Sequence, residues 1–278
     1  MRKSRMSPVR AIAYYLVALF FLALFGFPLV LTILMSLKSL PEYMSGNYWT
    51  WPRVLYLGNY AKVLFSDFNR YFLNSFFVSA IAVSLTALLG SMAGYAFAKL
   101  KFRFSGPLLL LFMVGMMIPV HTTLIPIYQL SRLFHSTDKL LGLVGPYIGF
   151  GLPMAIYILT YFFRDVPNSI QESAVIDGAS PYRIYRSIML PMSVPAISTV
   201  AIVNFLADWN EFIFALTLIN TNAKKTLPLG MREFYGAETI NIPAVLAAVL
   251  IGSLPVIIFY LFAQEKVING LSAGAIKG

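Results

Sequence analysis

Residues 172–191 read ESAVIDGASPYRIYRSIMLP, and this short polar block decides the fold, because it interrupts a chain that is otherwise strongly apolar. Asp177 and Gly178 form a turn signal, since glycine supplies a backbone angle that other residues avoid. Ser180 and Pro181 suit the cap and the first position of a second helix. We therefore predict a helix–turn–helix that is too polar to span a membrane.

The first helix of this block has its own start signal. Asn168 lies three residues before Gln171, a pattern typical of a capping box, and we expect the helix to run to about Ile176. Pro191 is expected to end the second helix. The helices then share an apolar face formed by Ile170, Ala174, Ile184 and Ile188. Two interpretations stay open: the hairpin lies on the inner leaflet against anionic lipid, or it docks a cytoplasmic partner.

Composition places the chain in a membrane. Of its 278 residues 59% are hydrophobic and 12% are charged, whereas a soluble domain has about 25% charged residues. The net charge is +10, but Lys and Arg are spread between apolar runs, which favours a positive-inside distribution over nucleic-acid binding. Without cysteine, and with His121 and His135 lacking helical partners, no metal site is expected. His121 lies within a predicted span and is interpreted as a structural histidine, with contact with the translocation path as the alternative.

A transmembrane helix needs about 20 mostly apolar residues, and the sequence contains six such segments. They are residues 14–37, 71–98, 107–130, 140–163, 193–219 and 242–264. The predicted fold is therefore all-α and polytopic, with six transmembrane helices.

Charge patterning predicts the orientation of these spans. The first run is too long for a signal peptide and is interpreted as an uncleaved span. Basic residues before it, together with the short Lys99–Arg103 loop, place both termini and the loop 164–192 in the cytoplasm. The predicted regions are an N-terminal part with the first span and an outer loop, a five-span core that includes the loop, and a C-terminal tail. Their bounds are 1–70, 71–264 and 265–278.

The polar block resembles the EAA loop of ABC-importer permeases. Glu172-Ser173-Ala174 is followed by Gly178, then by nine residues, and then by Ile188-Met189-Leu190-Pro191; Ser173 replaces the second motif alanine. The resemblance implies a cytoplasmic coupling loop that docks on the ATP-hydrolysing subunit. The residues implied in coupling are Glu172, Ala174, Asp177, Gly178, Ala179, Ile188, Leu190 and Pro191.

Nearly the whole chain is similar to the shorter permease of carbohydrate importers of the maltose type. The matching pieces are Gly94-Tyr95-Ala96-Phe97-Ala98-Lys99, Ile118-Pro119, Ile125-Pro126-Ile127-Tyr128, Trp209-Asn210-Glu211-Phe212, Thr226-Leu227-Pro228, Gly270-Leu271 and Gly274-Ala275-Ile276-Lys277-Gly278. This resemblance implies a multi-pass protein of a prokaryotic cytoplasmic membrane. Its implied partners are a second permease in a heterodimer, two ATP-binding subunits, an extracytoplasmic solute-binding protein, membrane lipid and a sugar.

The C-terminal tail and the source of energy can also be interpreted. A frayed terminus is the default for a short polar tail, but the family pattern implies that Gly270, Gly274 and Lys277 reach the ATPase interface. The chain has no P-loop and no nucleophile–histidine–acid set. We therefore expect no catalytic residue and no cofactor in this chain, with ATP and Mg bound by the partner ATPases.

A polar stripe marks the fifth predicted span. Asn204, Asp208 and Glu211 are spaced i, i+4, i+7 and would share one helix face. An ionised side chain at the bilayer centre costs about 2.5–3.5 kcal/mol on insertion scales, so with the adjacent Asn210 they are candidates for a watery translocation path that offers acceptors to sugar hydroxyls. Contact with another span or with the partner permease, and snorkelling, remain alternatives.

The predicted function is that of a permease subunit of an ATP-driven importer, which moves a sugar or oligosaccharide by alternating access. One alternative is a related importer for another solute, such as glycerol phosphate. Another is a polytopic membrane enzyme that acts on lipid-linked sugar with Asp208 and Glu211 as catalytic groups. A third is a secondary carrier.

Overall fold

The computed structural model describes residues Pro8–Tyr235 and Asn241–Ala275, and within these ranges the regular structure is helical with no strand. The predicted all-α class is thus confirmed. The chain divides into two compact units, one of residues 1–69 and 231–253 and the other of residues 70–230 and 254–278.

The first unit contains the first long apolar helix. Its helices are α1 (Pro8–Ser36), α2 (Leu40–Met44) and α3 (Gly58–Leu64). The segment after α1 is fixed to the end of that helix, because the Asn59 amide donates hydrogen bonds of 2.8 Å to the carbonyl oxygens of Ser36 and Lys38. Lys38 is itself buried and donates from its ammonium to the Asn47 carbonyl. In contrast, the most apolar window of α1 buries none of its residues within the described chain.

The second unit holds most of the remaining helices. They are α4 (Phe68–Lys99), α5 (Ser105–Gly115), α6 (Leu124–Leu133), α7 (Val144–Asp165), α8 (Asn168–Ile176), α9 (Pro181–Ile184), α10 (Leu190–Met192), α11 (Val194–Trp209) and α12 (Ile213–Leu218). The last two helices, α13 (Leu227–Tyr235) and α14 (Ile242–Ala275), each have residues in both units. The boundaries between the units fall close to the start of α4 and within α13 and α14. Short 3-10 segments precede α6 and α7.

Four of the described helices are long and apolar enough to cross a membrane, and two bent pairs bring the number to six if each pair counts as one span. The third predicted span, 107–130, is such a pair: α5 and the segment Val120–Leu133 meet at 98°. Pro119 explains the break, because it has no N–H to continue the helix and disfavours helical backbone at Ile118. The second bent pair is Pro181–Met192 with Val194–Trp209, which meet at 74°.

The fifth predicted span, 193–219, is not one helix. α11 ends at Trp209 and α12 begins at Ile213. The carboxylate of Glu211 accepts the N–H groups of Phe214 and Ala215, and so it satisfies donors that a helix start leaves without a partner. The prediction of a continuous helix was wrong here, because an apolar composition does not reveal where one helix ends and a new one begins.

Helices α4 and α7 pack at very short range. A Cβ added at Gly90 would lie 2.8 Å from the Cβ of Ala155, and one added at Gly94 would lie 2.9 Å from the Cβ of Leu159. Two buried clusters extend from this contact. One joins α4 and α7 to α8, α9 and α11, and the other joins them to α12. The second unit therefore positions both candidate sites on one packed framework.

Candidate functional site

The polar block forms the predicted hairpin. Helix α8 ends at Ile176, and Gly178 adopts φ +76°, a left-handed conformation that glycine adopts without strain. Ser180 then caps α9, since its hydroxyl accepts the N–H of Arg183 at 3.3 Å. Pro181 occupies the first helical turn, where its missing N–H costs nothing.

Two details of the hairpin differ from prediction. The capping box at Asn168 is wrong, because Pro167 is the cap residue and the Asn168 side-chain oxygen instead accepts the Lys99 ammonium at 2.8 Å. Pro191 does not end the second helix. The chain passes from α9 through a π-helical turn, Tyr185–Met189, into α10, where proline is tolerated in the first turn.

The motif residues divide between two faces of the hairpin. Ala174 is buried in the core cluster beside the buried Ile184, and the partly buried motif members pack against this cluster; they are Ala179, Ile188 and Leu190. The exposed motif members are Glu172, Asp177, Gly178 and Pro191. The expected apolar face is therefore confirmed, but protein rather than lipid covers it.

The exposed face of the hairpin also carries apolar side chains. Val175 is 57% exposed, Ile176 is 85% exposed and Tyr182 is 64% exposed. They lie in the same short block as the exposed acidic residues Glu172 and Asp177. Such a mixture of apolar and charged groups is suited to a protein contact with an apolar centre and a polar rim.

A buried hydrogen bond ties the hairpin to α4. The Tyr185 hydroxyl lies 2.7 Å from the hydroxyl oxygen of Ser91, and Ser91 in turn donates to the Leu88 carbonyl at 2.8 Å. Since serine has one hydroxyl proton, Tyr185 is the donor in the first bond. The Tyr185 ring also packs against Tyr95 at a centroid distance of 5.5 Å. Movement of the hairpin is thus linked directly to α4.

The four path candidates do line one cavity. It measures about 670 Å³ and its polar lining includes Asn204, Asp208, Asn210 and Glu211. Asn204 and Asp208 are four residues apart in α11 and both line the cavity, as the spacing suggested. Glu211 lies beyond the end of α11 and reaches the cavity through the break between α11 and α12. His121 also lines this cavity, because the bend at Pro119 turns its segment toward α7 and α11. Its position inside a predicted span had left such a contact open as the alternative to a structural role.

The carboxylate of Glu211 is fully engaged. One oxygen accepts the Phe214 N–H at 2.6 Å. The other accepts the Ala215 N–H at 3.2 Å and the Tyr147 hydroxyl at 2.9 Å. Glu211 therefore caps α12 and ties it to α7, which corresponds to the interhelical contact that the sequence left open.

Asp208 has a different environment. It is partly buried at the end of α11, and within the described residues its carboxylate makes no hydrogen bond and no ion pair. Asn204 is fixed: its amide donates to the Val200 carbonyl at 2.9 Å, and its oxygen packs so closely on Gly151 that a side chain at 151 would overlap it. Asn210 donates to the Leu206 carbonyl.

A second set of contacts fixes the loop that follows α12. Asp138 accepts the N–H groups of Asn220 and Thr221, the Thr221 hydroxyl, and the Lys224 ammonium at 2.8 Å. The Lys224 ammonium, followed by these other donors, holds the pKa of the Asp138 carboxyl well below its usual range. Tyr71 donates to the Asn222 side chain of the same loop at 2.7 Å.

The tail candidates are only partly covered. Helix α14 continues to Ala275 and so includes the backbone of Gly270 and Gly274, while Lys277 lies outside the described residues. No group of three His, Cys, Asp or Glu side chains in the described part of the chain could hold a metal ion.

Comparison with known proteins gives consistent matches. Residues 86–265 match the family of binding-protein-dependent transport system inner membrane components. The chain is 43% identical over 251 residues to a protein of Caldicellulosiruptor sp. strain Rt8B.4 named as an ABC transporter permease, covering 90% of this chain and 91% of that one. It is 33% identical over 230 residues to the trehalose transport system permease protein SugB of Mycobacterium tuberculosis, covering 82% and 84%.

A solved structure shares the fold. A chain of a bacterial ABC transporter involved in the import of the acidic polysaccharide alginate superposes with a TM-score of 0.82 at 21% identity, covering 95% of this chain and 99% of that one.

Proposed function

The chain belongs to the family of binding-protein-dependent transport system inner membrane components, and from its relatives we infer that it carries a sugar or an oligosaccharide across the membrane. It is a multi-pass permease subunit of an ABC importer, and ATP is hydrolysed by separate subunits. The trehalose permease among its relatives supports a sugar as substrate. No enzyme activity in this chain is needed for that function.

We propose that the hairpin α8–α9 docks on the ATPase. The observation that carries this proposal is the division of the motif residues: one set anchors the hairpin in the core, while the other stays exposed beside Ile176 and Tyr182. ATP-driven closure of the ATPases would move the hairpin as a body. The bond between Tyr185 and Ser91 would pass this movement to α4.

Transport then follows an alternating-access cycle. The solute-binding protein delivers the sugar to the side opposite the hairpin, and the cavity around Asp208 forms part of the path. We propose that a second, different permease completes this path, as the resemblance to maltose-type importers implies. Both termini and the hairpin face the cytoplasm in this scheme, and ATP and Mg bind only to the partner ATPases.

Substitutions on the exposed face test the docking role. Ile176→Asp places a charge at the centre of the proposed contact, and Glu172→Lys reverses a charge beside it. We expect ATPase subunits no longer to co-purify with either variant and ATP-dependent uptake to be lost. Phe65→Asp is the matched control, since Phe65 is 91% exposed but lies far from the hairpin in the sequence.

The control should retain normal ATPase recovery. Normal ATPase recovery and uptake in both hairpin variants would exclude this face as the docking surface. Membrane orientation is tested separately with Ser169→Cys, which an impermeant thiol reagent should label only after the cells are opened. Labelling of intact cells would reverse the proposed orientation.

A further inference from the structure

The cavity between α7, α11 and α12 contains one carboxylate that the fold leaves unused. Glu211 is engaged by three donors, and the amide nitrogens of Asn204 and Asn210 donate to carbonyls of α11. Asp208 lines the same cavity and makes no hydrogen bond or ion pair within the described residues. A carboxylate that is partly removed from water needs donors, so Asp208 is open to hydroxyl groups of a bound molecule.

The rest of the lining has a carbohydrate-binding character. Aromatic rings of Tyr147, Phe150, Phe212 and Phe214 line the cavity together with the polar groups. Apolar and aromatic walls with a few placed polar groups are typical of small-molecule sites. The volume of about 670 Å³ lies within the range of such sites.

The charged side chains of the lining are predominantly acidic. Asp208 and Glu211 are acidic, and no Lys or Arg is found among the described residues that line the cavity. His121 is the one lining residue of that set that can take up a positive charge. An anion that enters this cavity therefore meets carboxylates without a permanently charged cation to offset them.

We propose that Asp208 is a specificity-determining residue of this permease: it accepts hydroxyl groups of uncharged sugars and excludes sugars that carry a carboxylate, a sulfonate or a phosphate. This proposal rests on the proposed function, in that the cavity must lie on the sugar path. It favours a neutral saccharide over glycerol phosphate as the transported solute. Two unit charges about 6 Å apart at an effective dielectric constant of about 20 repel enough for roughly a 100-fold difference in affinity.

The test compares neutral and acidic forms of the same sugars. The complete complex of this chain, its partner permease and the ATPases is purified, and binding is measured by equilibrium dialysis. The probes are trehalose, maltose and cellobiose, and the aldonic acids made by oxidising the reducing ends of the last two. The variants are Asp208→Asn, which removes the free charge, and Glu211→Gln, which makes the same chemical change at the engaged carboxylate.

We expect the wild-type complex to bind at least one neutral probe, and to bind maltose or cellobiose about 100-fold more tightly than its acid. In Asp208→Asn this ratio should fall below about 10, with the partner permease still bound. Glu211→Gln should lower the yield of folded complex, since a cap is lost, and should lower the ratio less than Asp208→Asn does, because three donors already stabilise the Glu211 charge.

Three results would overturn the proposal. These are equal binding of neutral and acidic probes by the wild type, an unchanged ratio in Asp208→Asn, and binding of no neutral probe at all. Loss of the partner permease from Asp208→Asn would instead assign this carboxylate to an ion pair between subunits. If ATP-dependent sugar uptake persists in any of these cases and still requires Ile176, the proposed function stands and only the subsite fails.

Discussion

The buried hydrogen bond between Tyr185 and Ser91 predicts which of its two partners costs more stability when it is removed. Tyr185 donates, because the only hydroxyl proton of Ser91 is given to the Leu88 carbonyl. Ser91 is 0% exposed and Tyr185 is 6% exposed, so water cannot replace a lost partner. Ser91→Ala leaves a buried tyrosine hydroxyl without an acceptor, whereas Tyr185→Phe leaves the Ser91 hydroxyl with its own acceptor still in place.

The magnitudes follow from this asymmetry. A net hydrogen bond contributes about 1 kcal/mol, while an unsatisfied buried donor costs about 1–3 kcal/mol. We expect Tyr185→Phe to cost about 1 kcal/mol and Ser91→Ala about 2 kcal/mol. The double variant removes both partners, so it should cost less than the sum of the single changes by about 1–2 kcal/mol.

Thermal unfolding of the purified complex at one fixed scan rate measures these differences. A change of 1 kcal/mol corresponds to a shift of about 2–4 °C for a chain of this size. Ser198→Ala is the matched control, because this serine donates to the Val194 carbonyl of its own helix at a more exposed position, and it should shift the midpoint little. Equal effects of the two single variants, or strict additivity in the double variant, would refute the assigned direction of the bond.

Three other changes should have measurable effects. Gly178→Ala should cost about 1–2 kcal/mol through its positive φ alone, as nothing lies within 4 Å of the added Cβ, and uptake should fall. Gly106→Ala is the control: this position is also open but has no positive φ and lies in α5, so the change should not destabilise the protein. Gly94→Ala should lower the thermal midpoint by forcing α4 from α7, at a cost of about 1–3 kcal/mol, and an unchanged midpoint would contradict this packing. Asp138→Asn should speed hydrogen–deuterium exchange in residues 218–226. Because the Lys224 ammonium lowers the pKa of the Asp138 carboxyl, this contact is complete above the unfolded value of about 3.9 and is lost only below it, so acidifying the wild type to about pH 5 should leave corrected exchange rates unchanged.

The hairpin was predictable because its signals are local. The glycine turn at Gly178 and the serine cap at Ser180 depend on residues within three positions, and both were confirmed. The cap at Asn168 failed for the opposite reason. Lys99, which is 69 residues away, takes the oxygen that would have capped α8, and no local pattern contains that contact.

The sequence correctly predicted that the polar residues of the cavity lie together, but the reason it gave for Glu211 was wrong. Helical spacing placed Asn204, Asp208 and Glu211 on one face. Helix α11 ends before Glu211, however, and the turn between α11 and α12 brings that carboxylate to the same cavity. For His121 the sequence favoured a structural role over contact with the path, because the bend that brings it to the cavity depends on packing. The sequence could not distinguish Asp208 from Glu211, since both are acidic residues in the same pattern. Only the hydrogen bonds of the folded chain show that Glu211 is engaged by donors while Asp208 is not.

The bend between α5 and α6 has a consequence for biosynthesis. α5 has 11 residues and α6 has 10, so at 1.5 Å per residue neither is longer than about 17 Å, short of the bilayer core of about 30 Å. Neither arm can therefore enter the membrane alone. During synthesis the two arms must leave the translocon together, as one apolar stretch that already carries the helix break at Pro119, and the polar backbone freed at this break needs partners from other spans to remain in the bilayer.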